Sequence, residues 1–130
     1  MSEPKFIDGQ DSTTYVPFEL DDQRESVWND VRLSFDDWRW LKRKYRTDTI
    51  DGYFLNGYSI QRLVIAARVT AGLEACPDGL ELGSEADTCY IHFNSLELAV
   101  ETAELAQSMI RKRDNIVAMI AMVRRSELED

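Results

Sequence analysis

The chain has 130 residues, a formal charge of −9 and 44% apolar side chains, a length and balance that suit one folded domain over residues 1–130 and exclude a disordered chain. No apolar run approaches the ~20 residues that cross a bilayer, and the start, MSEPKFIDGQDSTT, lacks the basic and apolar segments of a secretory leader, so a cytoplasmic protein is expected. Two cysteines, Cys76 and Cys89, are too few for a disulfide framework and read as reduced thiols.

Residues 1–14 are polar and aperiodic, so a mobile or loosely docked start is expected. Tyr15–Leu20 alternates weakly and reads as an edge strand, where Pro17 is tolerated. In the next stretch, Val27–Tyr45, the spacing of Trp28, Val31, Phe35, Trp38 and Tyr45 fits one helical face. The S-x-x-D pattern of Ser34 and Asp37 would instead start a short helix at Phe35, after a strand. Both readings stand at this point. Of Trp38 and Trp40, which cannot share a helix face, one is expected to be exposed as an interface anchor or a half-buried surface residue.

Asp51-Gly52 and Asn56-Gly57 read as turns around a short buried strand, Tyr53-Phe54-Leu55. Ser59 then caps a helix that runs through Ala71, with Ile60, Leu63, Val64 and Ala67 inward and Gly72 ending it. Residues 73–87 form a long acidic connection with a short strand at Leu80–Leu82. Thr88–Phe93 is the clearest strand, with Cys89, Ile91 and Phe93 on one face and Tyr90 and His92 on the other. Asn94 and Glu97 suggest a helix start, and the helix that follows runs to about Lys112 with Glu97, Glu101 and Glu104 as one acidic ridge. Asp114 caps a last helix, Asn115–Arg125. The fold class is therefore α+β: a small antiparallel sheet against three to four helices, in a single layer on one face.

Catalytic and metal chemistry finds little support. Zinc needs three or four ligands, and Cys76, Cys89 and His92 are the whole Cys and His supply. On a strand, Cys89 and His92 point to opposite faces, which also argues against a Cys–His nucleophilic pair, although Cys76 could approach His92 from its loop. Asp21-Asp22 and Asp36-Asp37 read as loop and helix-start acids. Gly52-x-x-x-x-Gly57 lacks the Lys-Ser/Thr that follows a phosphate loop. No enzyme, no cofactor and no metal are expected.

Charge is uneven along the chain. Residues 1–37 carry −7, residues 38–68 carry +5, residues 69–110 carry −8 with no Lys or Arg, and residues 111–130 carry +1. Net acidity speaks against direct nucleic-acid binding, because phosphate neutralisation supplies much of that affinity. It suits a basic protein partner and speeds encounter with one.

Asn56-Gly57-Tyr58 before a short amphipathic helix, Ser84-Glu85-Ala86 leading into Thr88–Phe93, and a closing helix with Leu98, Leu105 and Ala106 appear in that order. Over about residues 51–120 this resembles the bacterial immunity protein 51 family. Phe54-Leu55 stands before N-G-Y where a glycine often sits in that family, and the first third of the chain matches no part of its pattern. The resemblance implies a non-catalytic antidote that binds the toxic C-terminal domain of a cognate polymorphic toxin. It transfers no binding residues. Charge complementarity to a basic toxin points to Asp78, Glu81, Glu85, Asp87, Glu97, Glu101 and Glu104 as the contact surface. Competing readings are another acidic inhibitor, such as a phage-type protein or DNA mimic, and a small ligand-binding domain near Tyr53, Tyr58 and His92.

Overall fold

The computed structural model describes residues 3–129. In chain order it runs β1 (Gln10–Asp11), β2 (Glu19–Gln23), β3 (Asp30–Phe35), α1 (Trp38–Tyr45), β4 (Thr49–Ile50), β5 (Tyr53–Phe54), α2 (Gly57–Thr70), β6 (Leu80–Leu82), β7 (Cys89–Phe93), α3 (Leu96–Arg111) and α4 (Arg113–Glu129). Five strands form one antiparallel sheet in the order β1-β2-β3-β7-β6, and β4 and β5 form a separate hairpin. The fold is α+β.

Period-two alternation decides which face of the sheet is covered. Leu20, Val31, Leu33, Phe35, Cys89, Ile91, Phe93 and Leu80 are buried, and α2 and α3 pack on that side. The helices contribute Ile60, Leu63, Val64, Ala99, Ala103, Ala106 and Ile110 to the same core. α4 rests on α2 and α3 rather than on the strands, burying Ile116, Met119 and Ile120. No helix among the described residues is long and apolar enough to cross a membrane.

Between Val27 and Tyr45 the chain forms a strand and then a short helix. Val31, Leu33 and Phe35 alternate inward along β3, so their apparent helical spacing with Trp28 is coincidental. Asp37, not Ser34, caps α1: its carboxylate accepts from Trp40 N. Tyr15–Pro17 is a turn rather than an edge strand, with Val16–Pro17 cis. Gln107 holds that turn by donating to the carbonyls of Thr14 and Val16. β2 starts at Glu19 and lies inside the sheet, between β1 and β3.

Among the described residues, the first segment is tied together by one carboxylate. Asp11 is buried and accepts from the backbone amides of Lys5, Thr13 and Thr14. Burial alone would raise its pKa, but these hydrogen bonds overcome that and hold it at about 2.

Helix starts are shifted by a residue or more from the sequence expectation. α2 is capped by Asn56, with Ser59 as the reciprocal partner three residues on; Asn56-Gly57 is therefore a helix start, not a turn. Ser95 rather than Asn94 caps α3, and Asp114 sits within the first turn of α4. In the β4–β5 hairpin it is Ile50 and Leu55 that are buried, whereas Phe54 is exposed.

Two segments that are distant in sequence meet at the start of α2. Gly57 N donates to Ala86 O at 2.9 Å, and Gln61 Oε1 accepts from Ser84 N at 3.3 Å. A Cβ on Gly57 would lie 1.8 Å from Glu85 O and 2.6 Å from Thr88 O. Only glycine lets the helix start this close to the β6–β7 connection. Asn56-Gly57-Tyr58 and Ser84-Glu85-Ala86 are thus the two halves of one junction.

Candidate functional site

The other face of the sheet carries no helix among the described residues. One row of side chains crosses all five strands: Gln10, Asp21, Arg32, His92 and Glu81. A second row holds Glu19, Ser34 and Tyr90, and Asp30 stands opposite Gln23. Such a row exists because alternation sends the residues between core positions outward.

Arg32, on the central strand, is the organising residue. Its Nε donates to Asp30 Oδ1 at 3.0 Å and its Nη1 to the Tyr90 hydroxyl at 3.3 Å. The guanidinium carbon sits 5.3 Å from the Trp28 ring centroid and 5.9 Å from that of Tyr90, within cation–π range of both. His92 Nδ1 lies 3.0 Å from the other Asp30 oxygen, and its ring meets Tyr90 edge-on at 4.9 Å. Gly83 on the neighbouring segment leaves room for that ring, since a Cβ there would lie 3.0 Å from His92 Nε2.

The β2–β3 connection sets the rim. Ser26 Oγ donates to Gln23 O and accepts from Trp28 N, and Asn29 turns the chain at φ 47°. The loop thereby presents Val27 at 93% and Trp28 at 66% exposure. Trp28 is the exposed tryptophan. Trp38 and Trp40 are both half-buried: Trp38 packs on Phe35 and donates from Nε1 to Asp87 O, and Trp40 packs on Tyr45.

Carboxylates outnumber cations on this face. Glu19, Asp21, Asp30 and Glu81 surround Arg32, and Asp21 has no ion-pair partner among the described residues although it stands opposite Arg32. Burial, then the charge of Asp36, push the Glu19 pKa above its ordinary value, with Asp21 and Asp37 adding to this against a hydrogen bond from Gln10. Burial also raises Asp21, against the pull of Arg32. These groups are held where a further cation would relieve them.

The seven expected contact acids do not form one surface. Glu81 lies on the open face beside His92, and Glu85 lines a shallow depression with Gly83, Thr88, Tyr90 and His92. Asp78 and Asp87 are exposed in the connections before β6 and before β7. Glu97 and Glu101 are exposed on α3, and Glu104 is half-buried; this helix packs on the opposite side of the sheet. Glu101 is also committed within the fold. It accepts at 3.1 Å from Arg68, which is 2% exposed and donates as well to Glu74 O and Thr102 Oγ1.

Trp28, Arg32, Tyr90 and Asp30 were not singled out from the sequence as a site. Their signal was present only as strand alternation around one arginine, hidden while Val27–Tyr45 could still be read as a helix. Cys89 faces the core, and burial pushes its thiol up to about 12, so it is a protonated core residue at neutral pH. Cys76 is an exposed free thiol. Among the described residues no group of His, Cys, Asp and Glu is arranged to hold a metal ion. No family model, curated protein or solved structure matches the chain.

Proposed function

We propose that this protein is an immunity protein that binds and neutralises the toxic C-terminal domain of a cognate polymorphic toxin in the cytoplasm of the producing cell, and that it does so with the open face of its sheet. The observation that carries the reading is Arg32 held between Trp28 and Tyr90, at the centre of an uncovered face ringed by carboxylates. Trp, Tyr and Arg are the residues most enriched at binding hot spots. Here the arginine is already oriented by Asp30 and Tyr90, so little of its freedom remains to be lost on binding. The surrounding carboxylates suit a basic partner, with Glu81 and Glu85 of the expected acids at the edge of the contact.

The resemblance over residues 51–120 supports the same reading. Its two short motifs meet in one junction, where Gly57 N donates to Ala86 O, which is consistent with a role in the scaffold. A DNA mimic needs carboxylates along one continuous face, and Glu81 and Glu97 lie on opposite sides of the sheet.

The test is growth of cells expressing the C-terminal domain of the toxin encoded beside this protein. Wild-type protein is expected to restore growth, and Trp28→Ala and Arg32→Ala to lose protection while remaining folded. Full protection by both variants would overturn the assignment of the face. Failure of the wild-type protein to protect would overturn the immunity reading.

A further inference from the structure

The two basic runs of the chain, far apart in sequence, end at one corner. Tyr45, the last residue of α1, donates its hydroxyl to Ile110 O near the end of α3, and Asn115 Nδ2 of α4 donates to Ser108 O. Arg43, Lys44, Arg46, Arg111, Lys112 and Arg113 are thereby gathered at the α1 and α3 C-termini and the α4 N-terminus. All six are exposed, and none takes part in an ion pair among the described residues. Lys44 alone is engaged, over the rings of Trp40 and Tyr45.

Helix electrostatics explains part of this corner. Cations at the ends of α1 and α3 complement the negative C-terminal dipoles. Lys112, the C-cap of α3, fits that explanation as well, but Arg113 does not, because it opens α4, where a positive charge is unfavourable and where Asp114 is the acidic residue of the first turn. Arg46 also takes the left-handed C-cap conformation, φ 62°, that glycine usually fills. The corner therefore concentrates positive charge beyond what the fold calls for.

From this we infer that the corner binds the phosphodiester backbone of nucleic acid without reading sequence. An acidic protein partner would ordinarily add an apolar anchor to the charge contacts. The exposed large apolar residues are Ile7, Val27, Trp28, Phe54, Tyr58, Val69 and Leu82; Phe54 shares a depression with Lys42 of α1, and none is carried by α1, α3 or α4 themselves. Trp40 is half-buried and meets Tyr45 edge-on. What remains is a cluster of unpaired, arginine-rich charge, the chemistry that holds phosphates. The net charge of −9 argues against this only as a sum, because at about 0.15 M salt charges more than ~8 Å away are largely screened. The inference is independent of the proposed toxin partner.

The experiment is fluorescence anisotropy of the full chain with a labelled DNA duplex and a labelled single-stranded RNA, between about 50 and 200 mM salt, the range over which backbone contacts weaken steeply. Binding is expected to both, with a log–log salt slope approaching about −5 on the duplex for six phosphate contacts and about −4 on the single strand. Lys112→Glu with Arg113→Glu is expected to make the slope shallower by about 2 and to weaken binding at low salt at least tenfold, with little change in Tm, because an acid disfavoured at the α3 C-cap is offset by one favoured at the start of α4. Arg43→Gln, at a separate helix, is expected to reduce the slope by about 1. No binding at low salt, a slope unchanged by both variants, or polyglutamate bound as tightly as the nucleic acids would overturn the inference.

Discussion

The junction at Gly57 and the open face around Arg32 are built on opposite principles. At the junction, backbone meets backbone: Gly57 abuts the carbonyls of Glu85 and Thr88, and Asn56 and Ser59 satisfy each other. Every polar group named there has a protein partner. On the open face, large side chains stand outward, Trp28 and Val27 are exposed, and Glu19 and Asp21 are held at raised pKa with their charge only partly relieved by Gln10 and Arg32. The first arrangement specifies a fold, whereas the second leaves interactions to be completed by something else. The recognisable motifs of the chain belong to the first region, and the proposed contact residues to the second.

Gly57 is the most sensitive position of the junction. Gly57→Ala places a methyl 1.8 Å from a backbone oxygen, so the β6–β7 connection must move. The expected cost is about 3 kcal/mol or more, read as a lower urea midpoint with the m-value unchanged. A midpoint within error of wild type would show that the junction is not tight.

The segment around Asp11 is the next test, because it carries β1, the edge strand beside β2. Asp11 has a folded pKa of about 2 against an ordinary 3.8. A depressed carboxylate pKa contributes stability that is present above the unfolded value and lost as pH falls through the folded one. The contribution, about 2 kcal/mol, should disappear between about pH 4 and pH 2. Asp11→Asn should remove it at neutral pH and flatten that part of the stability curve, as followed by urea titrations at several pH values.

A smaller effect separates two acids of α3 that look equivalent in sequence. Glu101→Ala leaves the Arg68 guanidinium buried without its carboxylate and should cost about 1.5–2 kcal/mol. Glu97→Ala touches no ion pair among the described residues and should stay within about 0.5 kcal/mol of wild type. Thermal melts of the two variants check this. Charge reversal at Glu101 therefore reports on the fold before it reports on any partner.

The smallest effect sharpens the account of the open face. With raised pKa values, Glu19 and Asp21 take up protons at a higher pH than ordinary carboxylates, and a protonated acid no longer attracts a cation. Affinity for a basic partner should fall as the pH drops through those raised values, and Glu19→Gln with Asp21→Asn should remove the dependence. Affinity that rises on acidification would contradict a role for these acids.

Much of the fold was legible in the chain. Thr88–Phe93 alternates without ambiguity, the inward residues of α2 follow helical periodicity, and Leu80–Leu82 reads as a short strand within the acidic connection. The misreadings have local causes. Trp28, Val31, Phe35 and Trp38 satisfy a helical spacing by coincidence, because positions 31 and 35 are an even number apart and so also share one face of a strand. Neighbouring residues that are both good caps, such as Asn94 and Ser95, cannot be ranked without the backbone angles. The site was harder to read for a physical reason. Arg32 owes its role to Tyr90 and His92, 58 and 60 positions away in the sequence, and pairing of that range is set by the whole sheet. Acidic residues were visible along the chain, but their distribution over two sides of the sheet was not.

The most direct test of the open face as the binding surface is calorimetric titration of the toxin domain into paired variants of equal stability. The account predicts that Trp28→Ala with Arg32→Ala weakens binding by about 2 kcal/mol or more, roughly 30-fold. Glu97→Gln with Glu104→Gln should change it less than about twofold, as expected outside a hot spot. Binding lost in the α3 pair and kept in the Trp28 and Arg32 pair would place the contact on the helical side and contradict the account.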